Sequence, residues 1–442
     1  MKRFLLILGV LVLAISLFSC STAPKRKSDK LWIVTDLGRA NAGEPNNFDI
    51  GQEGGQIDLE LAIKYFGGLP GGKEIELEVL PLEDEDLKAR ISHLKVEIMS
   101  GGGPDVFILS SDYPMSGAYC NQPRLFPNPD KALQGELFLP LDDYIADAQF
   151  MTYQEMNPAV LKAGKSEEGQ VILPMFHSIN MGIAYTELDT KQFPAAWNQR
   201  VTETPELAAS YGMVFRNGLF RSIVFSDVAD FAQEDMLISE EELLETVNTA
   251  VSVSQTSLEE NQSAEWLSDP FVNANEPWAG EQNPDYVETV FPLTNMDGSI
   301  TSYIDSYIAI NRNTPYPDEA FALVDMLMSK EFLSLTPFWD NDRINRGSST
   351  ALFRELRGWA GLPIYDSMLE NGDSILPNRI LPSARWPVYK EALSNLSVYF
   401  PSTVDTELES LFMNCKEANG SEEIENLVKR AYTTMKMMLS ES

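Results

Sequence analysis

The chain has 442 residues, with 33 basic against 66 acidic side chains and a net charge of −33. A surface of that sign repels phosphate backbones, which excludes nucleic acid as a partner and disfavours polyanionic ligands. Three cysteines and two histidines supply neither a disulfide framework nor a histidine metal centre, so neither metal nor cofactor is expected.

The first residues are read as an address, not as fold. Lys2 and Arg3 precede the uncharged run "FLLILGVLVLAISLF", too short for a membrane span and shaped like the apolar part of an export signal. The run ends in "SLFSC", which resembles a bacterial lipobox, with Leu17, Ser19 and Cys20 at the matching positions. That resemblance implies cleavage before Cys20 and lipid on its sulfur. Residues 1–19 are then a signal peptide, and 20–29 a small, polar, basic tether suited to an anionic bilayer surface. No later stretch is long and apolar enough to span a bilayer, so the membrane is expected to be touched through the lipid anchor only. About 410 residues follow, more than one core usually holds, and two lobes are expected.

"KLWIVTDL" reads as a short strand, followed by a polar loop rich in Gly and Asn. "QIDLELAIKYF" sets Ile57, Leu61, Ala62 and Tyr65 on one helical face and stops at "GGLPGG". Ile75, Leu77 and Val79 alternate as in a half-buried strand. "EDEDLKARISHLKVEIMS" opens with acids that suit the positive end of a helix and lines Leu87, Ile91, Leu94 and Ile98 on one face. Three glycines then precede "PDVFIL". A phosphate cradle needs strand, glycines and helix in that order, and here the glycines follow a helix and precede a strand, so they are a joint. The βαβαβ order predicts a parallel sheet with its ligand loops beyond the carboxyl ends of the strands, at "TDLGRAN" and "SSDYPMSG".

Further on, "GQVILPMFHSINMGIAYT" reads as strand, turn, strand, and residues 200–265 as acidic and helical. "VETVFPLTNMDGS" and "TSYIDSYIAIN" read as strands, "PYPDEAFALVDMLMSKEFL" as an amphipathic helix, and the C-terminus as two helices broken at Asn419 and Gly420. Two motifs fail on inspection. Gly67 to Lys73 fits a phosphate-loop spacing but is followed by Glu74 where Ser or Thr is needed. Ser92 and Lys95 fit the spacing of serine acylases without the companion motifs. Cys120 and Cys415 remain beside Cys20, and their spacing does not set them within reach of each other. Trp278, in the polar loop "NEPWAGEQNPDY", is the aromatic best placed to stack on a sugar ring.

"LKARISHLKVEIMSGGGPDVFILSSDY" resembles the helix, glycine turn, Pro-Asp and strand of extracellular solute-binding proteins of ABC importers, family 1. "LFLPLDDYI", "GQVILPMFHSINMGIAYT", "SYIAINRNTPYPDEAFALVDMLMSKEFL" and "RGSSTALFRE" resemble later stretches of that family in the same order. The maltose- and multiple-sugar-binding type is the nearest in character. The resemblance implies an α/β fold of two lobes, each a mainly parallel sheet flanked by helices, with a ligand cleft between them. It sets lobe 1 at residues 30–143 and 295–340 and lobe 2 at 144–294 and 341–442. It implies ligand contacts at Asp36, Arg39, Ser111, Asp112, Tyr113, Phe176, His177, Ser178, Trp278, Asp305 and Trp339, with no catalytic residue. The partners it implies are a carbohydrate, expected to be an oligosaccharide, and an ABC transporter permease, with the protein a monomer on the outer face of a bacterial membrane. The rival readings are a binder of another small solute such as a peptide or polyamine, a surface glycosidase with two close carboxylates, and an adhesin without a closing cleft.

Overall fold

The computed structural model describes residues 29–36, 73–80, 84–111, 123–185, 187–188, 195–255, 264–267, 272–273, 287–333, 362–369, 379–380 and 385–441. The helix expected around residues 57–65 and the pseudo-motif at 67–72 lie outside them.

Three short strands open lobe 1. β1 (Leu31–Thr35), β2 (Ile75–Val79) and β3 (Val106–Ser110) pair in parallel in the order β2-β1-β3. α1 (Asp84–Met99) makes the crossover from β2 to β3, and its predicted apolar face of Leu87, Ile91, Leu94 and Ile98 is buried. The glycines after it are the expected joint. The N–H groups of Gly101 and Gly102 close on the carbonyls of Ile98 and Glu97, and Gly101 and Gly103 sit at φ 81 and 92. A Cβ on Gly103 would meet Ile98 Cγ1 at 2.8 Å. Glycine alone accepts both the dihedral and the approach. Asp105 then pins β3 by accepting the Trp32 N–H and the Thr314 hydroxyl, each at 2.6 Å.

After α2 (Pro129–Gln134) and α3 (Pro158–Ala163) comes the segment read from sequence as strand, turn, strand. It is not a hairpin. β4 (Ile172–Ile179) and β5 (Met181–Ala184) do not pair with each other, and only Asn180 separates them. β5 pairs with β6 (Ala264–Leu267) and β7 (Thr289–Pro292), whereas β4 lies against β8 (Ile300–Ile310) and β9 (Leu362–Pro363). The chain therefore walks from one sheet into the next. β8, buried along all eleven residues, stays within one sheet and runs its length. Its first residues pair in parallel with β10 (Leu396–Tyr399), and Ser306–Ile310 pair antiparallel with β3.

Three buried apolar clusters follow from these crossings, the smallest of them gathering Ile179, Met181, Ile183, Ile300, Leu362 and Tyr389. The first joins β1, β3, α1, β4 as far as Phe176 and β8 from Ile304 onward. The second is built on α4 (Pro205–Arg216), α5 (Arg221–Val224), α6 (Glu240–Ser254), α8 (Thr403–Lys416) and α9 (Ser421–Glu441). Its aromatic centre is dense, with Phe220 stacked on Phe412 at 4.5 Å and Trp197 edge-on to Phe215 at 5.5 Å. α7 (Pro317–Leu327) returns to the first core, where Asp325 accepts the N–H groups of Gln149, Phe150 and Met151.

The packing around the expected boundaries is as follows. Residues 145–176 were expected in lobe 2, yet Ile145, Val160, Leu173 and Phe176 pack into the first core. The physical cause is β4, which runs beside β8 within the lobe 1 sheet before it crosses. The return crossing likewise falls near Ile304 instead of residue 295. Among the described residues no helix is long and apolar enough to cross a membrane.

Candidate functional site at the strand crossings

The polar groups of interest gather where β4 and β8 pass from lobe to lobe, beside the carboxyl end of β3. Ile304 pairs with His177 and the next paired residue, Ser306, with Phe176, so Asp305 is the extra residue of a β-bulge. A bulge bends its strand and re-aims the side chain it carries. Ser178 donates its hydroxyl to Asp305 Oδ2 at 2.6 Å, and the Asp305 carbonyl accepts the Ser111 N–H at 2.9 Å. Three sequence-selected residues from three strands or their ends thus meet. Asp305 and Ser111 are 8% and 3% exposed, and Ser178 is half-buried.

Asp36 stands one strand away and is already engaged. Its carboxylate accepts the Ser110 N–H at 2.7 Å, the Ser110 hydroxyl at 2.9 Å and Arg124 Nη1 at 3.2 Å. Arg124 also donates to the Ser110 hydroxyl at 2.7 Å. The pair fixes the carboxyl ends of β1 and β3 against each other. Sequence reasoning missed Arg124; its signal was an isolated cation in the loop "NQPRLFPNPD" of a strongly acidic chain.

Phe176 and His177 differ from expectation. Phe176 is buried within the first core. His177 is wholly enclosed, because alternate residues of a strand face opposite ways and Ser178 takes the more exposed side. Its Nδ1 meets the Ser302 hydroxyl at 2.8 Å, while Nε2 is buried without a partner among the described residues. Burial drives its pKa from 6.5 down to about 3, so the imidazole is neutral. It acts as packing at the crossing. Asn180, also missed, is buried in the link between β4 and β5 and donates to the Ser222 hydroxyl at 3.1 Å. Arg39, Asp112, Tyr113, Trp278, Trp339 and the lipidation candidate Cys20 lie outside the described residues, as does Cys120; Cys415 is buried and carries a free thiol.

Chemically, a carboxylate, two hydroxyls and backbone groups at a bulge can accept and donate hydrogen bonds to a polar solute. Among the described residues no group of three or more His, Cys, Asp or Glu is placed to hold a metal ion. Ser92, the false acylase serine, donates to the Lys88 carbonyl on the open face of α1.

No family model matches the sequence, and no curated protein matches it. Solved structures do. The sugar-binding protein MalE from Xanthomonas citri is 12% identical, with 93% of this chain and 98% of that one covered and a TM-score of 0.54. A periplasmic oligogalacturonide-binding protein from Yersinia enterocolitica is also 12% identical, covering 93% and 99%, with a TM-score of 0.52. An extracellular solute-binding protein, family 1, from Alicyclobacillus acidocaldarius is 15% identical, covering 92% and 98%, with a TM-score of 0.51. At such identities the likeness speaks for architecture, and it spans nearly the whole chain. The fold of this protein is that of the extracellular solute-binding proteins of family 1, the maltose-binding type among them.

Proposed function

We propose that the protein is the substrate-binding component of an ABC importer, exported, anchored by lipid at Cys20, and monomeric. It captures a carbohydrate, best an oligosaccharide, in the cleft between its lobes and hands it to a permease; it performs no chemistry on it. The observation that carries this reading is the pair of chain passages, β4 to β5 and β7 to β8, which lead between the first core and the second and bring Ser178 and Asp305 together with Ser111 where they cross. Two cores joined by strands can close over a solute, to the extent that the solute favours the closed state. The likeness in fold to proteins titled as sugar and oligogalacturonide binders supports the substrate class.

Asp112, Tyr113, Arg39, Trp278 and Trp339 complete the proposed ligand set, with Trp278 covering a sugar face. Calorimetric titration of the bound sugar into Trp278→Ala is expected to show affinity lower by tenfold or more, on the scale of ~1–3 kcal/mol lost for a stacking aromatic. Unchanged affinity removes Trp278 from the site. Cys20→Ser is expected to move the protein from the membrane fraction to the soluble exported fraction, and retention in the membrane contradicts the anchor. One observation favours a second reading: Asp305 places a carboxylate at the crossing, which would suit a solute carrying an amine.

A further inference from the structure

One short stretch of chain, Arg124 to Lys131, runs between the candidate site and the second core. Its middle is packed: Leu125 is buried in the first core, and the Phe126 ring meets Phe107 of β3 and Phe138 nearly edge-on, each at 5.2 Å. Its two ends grip different parts of the molecule. At one end, Arg124 Nη1 donates to Asp36 Oδ2 at 3.2 Å and to the Ser110 hydroxyl at 2.7 Å, at the carboxyl ends of β1 and β3. At the other, Asn128, 8% exposed, accepts the Thr403 N–H at 3.1 Å and the Thr403 hydroxyl at 2.9 Å. Lys131 adds an ion pair with Glu234 at 3.6 Å.

The ground beyond Asn128 is firm as well. Thr403 opens α8, between Phe400 of the first core and Val404 of the second. The Ser402 N–H donates to Asp405 Oδ2 at 2.8 Å, and Asp405 pairs with Arg221 of α5. Arg221, 1% exposed, donates Nη1 to the Phe225 carbonyl at 2.8 Å and lies 3.8 Å over the Tyr399 ring. Polar contacts thus lead from Asp36 and Ser110, through the stretch, to a buried ion pair of the second core. Arg124 and Asn128 are four residues apart, at most about 14 Å of extended chain, so there is little slack between the two grips.

We propose that residues 124–131 are a strap coupling the candidate solute site to the second core, with Arg124 as the positioning residue for Asp36. Holding Asn128 against Thr403 removes freedom that Arg124 would otherwise lose on gripping Asp36 and Ser110, so each grip makes the other firmer. Such coupling is reciprocal: a solute that steadies Asp36 also steadies the contact at Thr403. The inference rests on the proposed site lying beside Asp36, and its test needs no solute.

That test is amide hydrogen exchange, read residue by residue on the ligand-free exported chain. The Ser110 N–H, donated to Asp36 Oδ1 at 2.7 Å, reports the site, and the Thr403 N–H reports the other grip. The Gln149 N–H, held by Asp325 at 2.7 Å outside the strap, reports general loosening. Asn128→Ala is expected to lower protection at Thr403 and, by about fivefold or more, at Ser110, with Gln149 unchanged. Arg124→Gln is expected to lower protection at Thr403 as well as at Ser110, and Arg124→Lys to restore part of it. Loss at Thr403 alone in Asn128→Ala, or an equal loss at Gln149, overturns the strap. If these variants do not fold, Thr403→Val, which removes only the hydroxyl donor, must still lower protection at Ser110; an unchanged Ser110 overturns the proposal too. A flat sugar screen leaves the strap standing, and independent exchange at Ser110 and Thr403 leaves the substrate reading standing.

Discussion

His177 shows how much a single step along a strand decides for a side chain. Its position in the crossing segment was legible, but its direction was not, because one step along a strand turns a residue from one face to the other. Ser178 took the accessible face and His177 the enclosed one, against Ser302. That placement has a measurable consequence. A histidine whose folded pKa lies near 3 and whose unfolded pKa lies near 6.5 binds its proton only on unfolding across that range. Stability is full above 6.5 and is lost as the pH falls, by about 1.4 kcal/mol per unit from this one group. Denaturant melts of the wild type and His177→Gln between pH 7 and 5 are expected to converge or cross as the pH falls, since the variant has nothing to protonate there. Parallel profiles would show that the imidazole is not held neutral.

At the scale of elements, periodicity served helices well and strand pairing poorly. The buried face of α1 and the glycine joint were readable because 3.6-residue spacing and a left-handed glycine are local facts. The break between β4 and β5 was not, since a hairpin and a passage between sheets differ in partners far along the chain, β8 and β7. Long-range polar staples were equally invisible. Asp325 on α7 reads as one more acid on an amphipathic helix, yet it gathers three backbone N–H groups of residues 149–151. Asp325→Ala would leave those donors buried or force the segment open. A loss of at least about 3 kcal/mol is expected in equilibrium unfolding, with Asp325→Asn recovering only part of it. A loss under ~1 kcal/mol would show that the staple is dispensable.

For the whole molecule, the proposed function needs the crossings between separately packed clusters to let the protein open and close over a solute. Ser111, Ser178 and Asp305 meet at the strand crossing, and Asn128 just before α2 adds a contact to Thr403 at the start of α8. The acidic surface that excluded nucleic acid from the start is compatible with a neutral ligand, and it sharpens the contest between a sugar and an amine-bearing solute at Asp305. The measurement that decides it is a thermal-shift screen of the soluble chain against mono- and oligosaccharides, peptides, polyamines and amino acids. A ligand bound only by the folded state adds about 2.7 kcal/mol at a hundred times its Kd, which moves the midpoint by several degrees. The account predicts a clear rise with one class of oligosaccharide and none with amines. A rise with polyamines or peptides and a flat carbohydrate panel would contradict it.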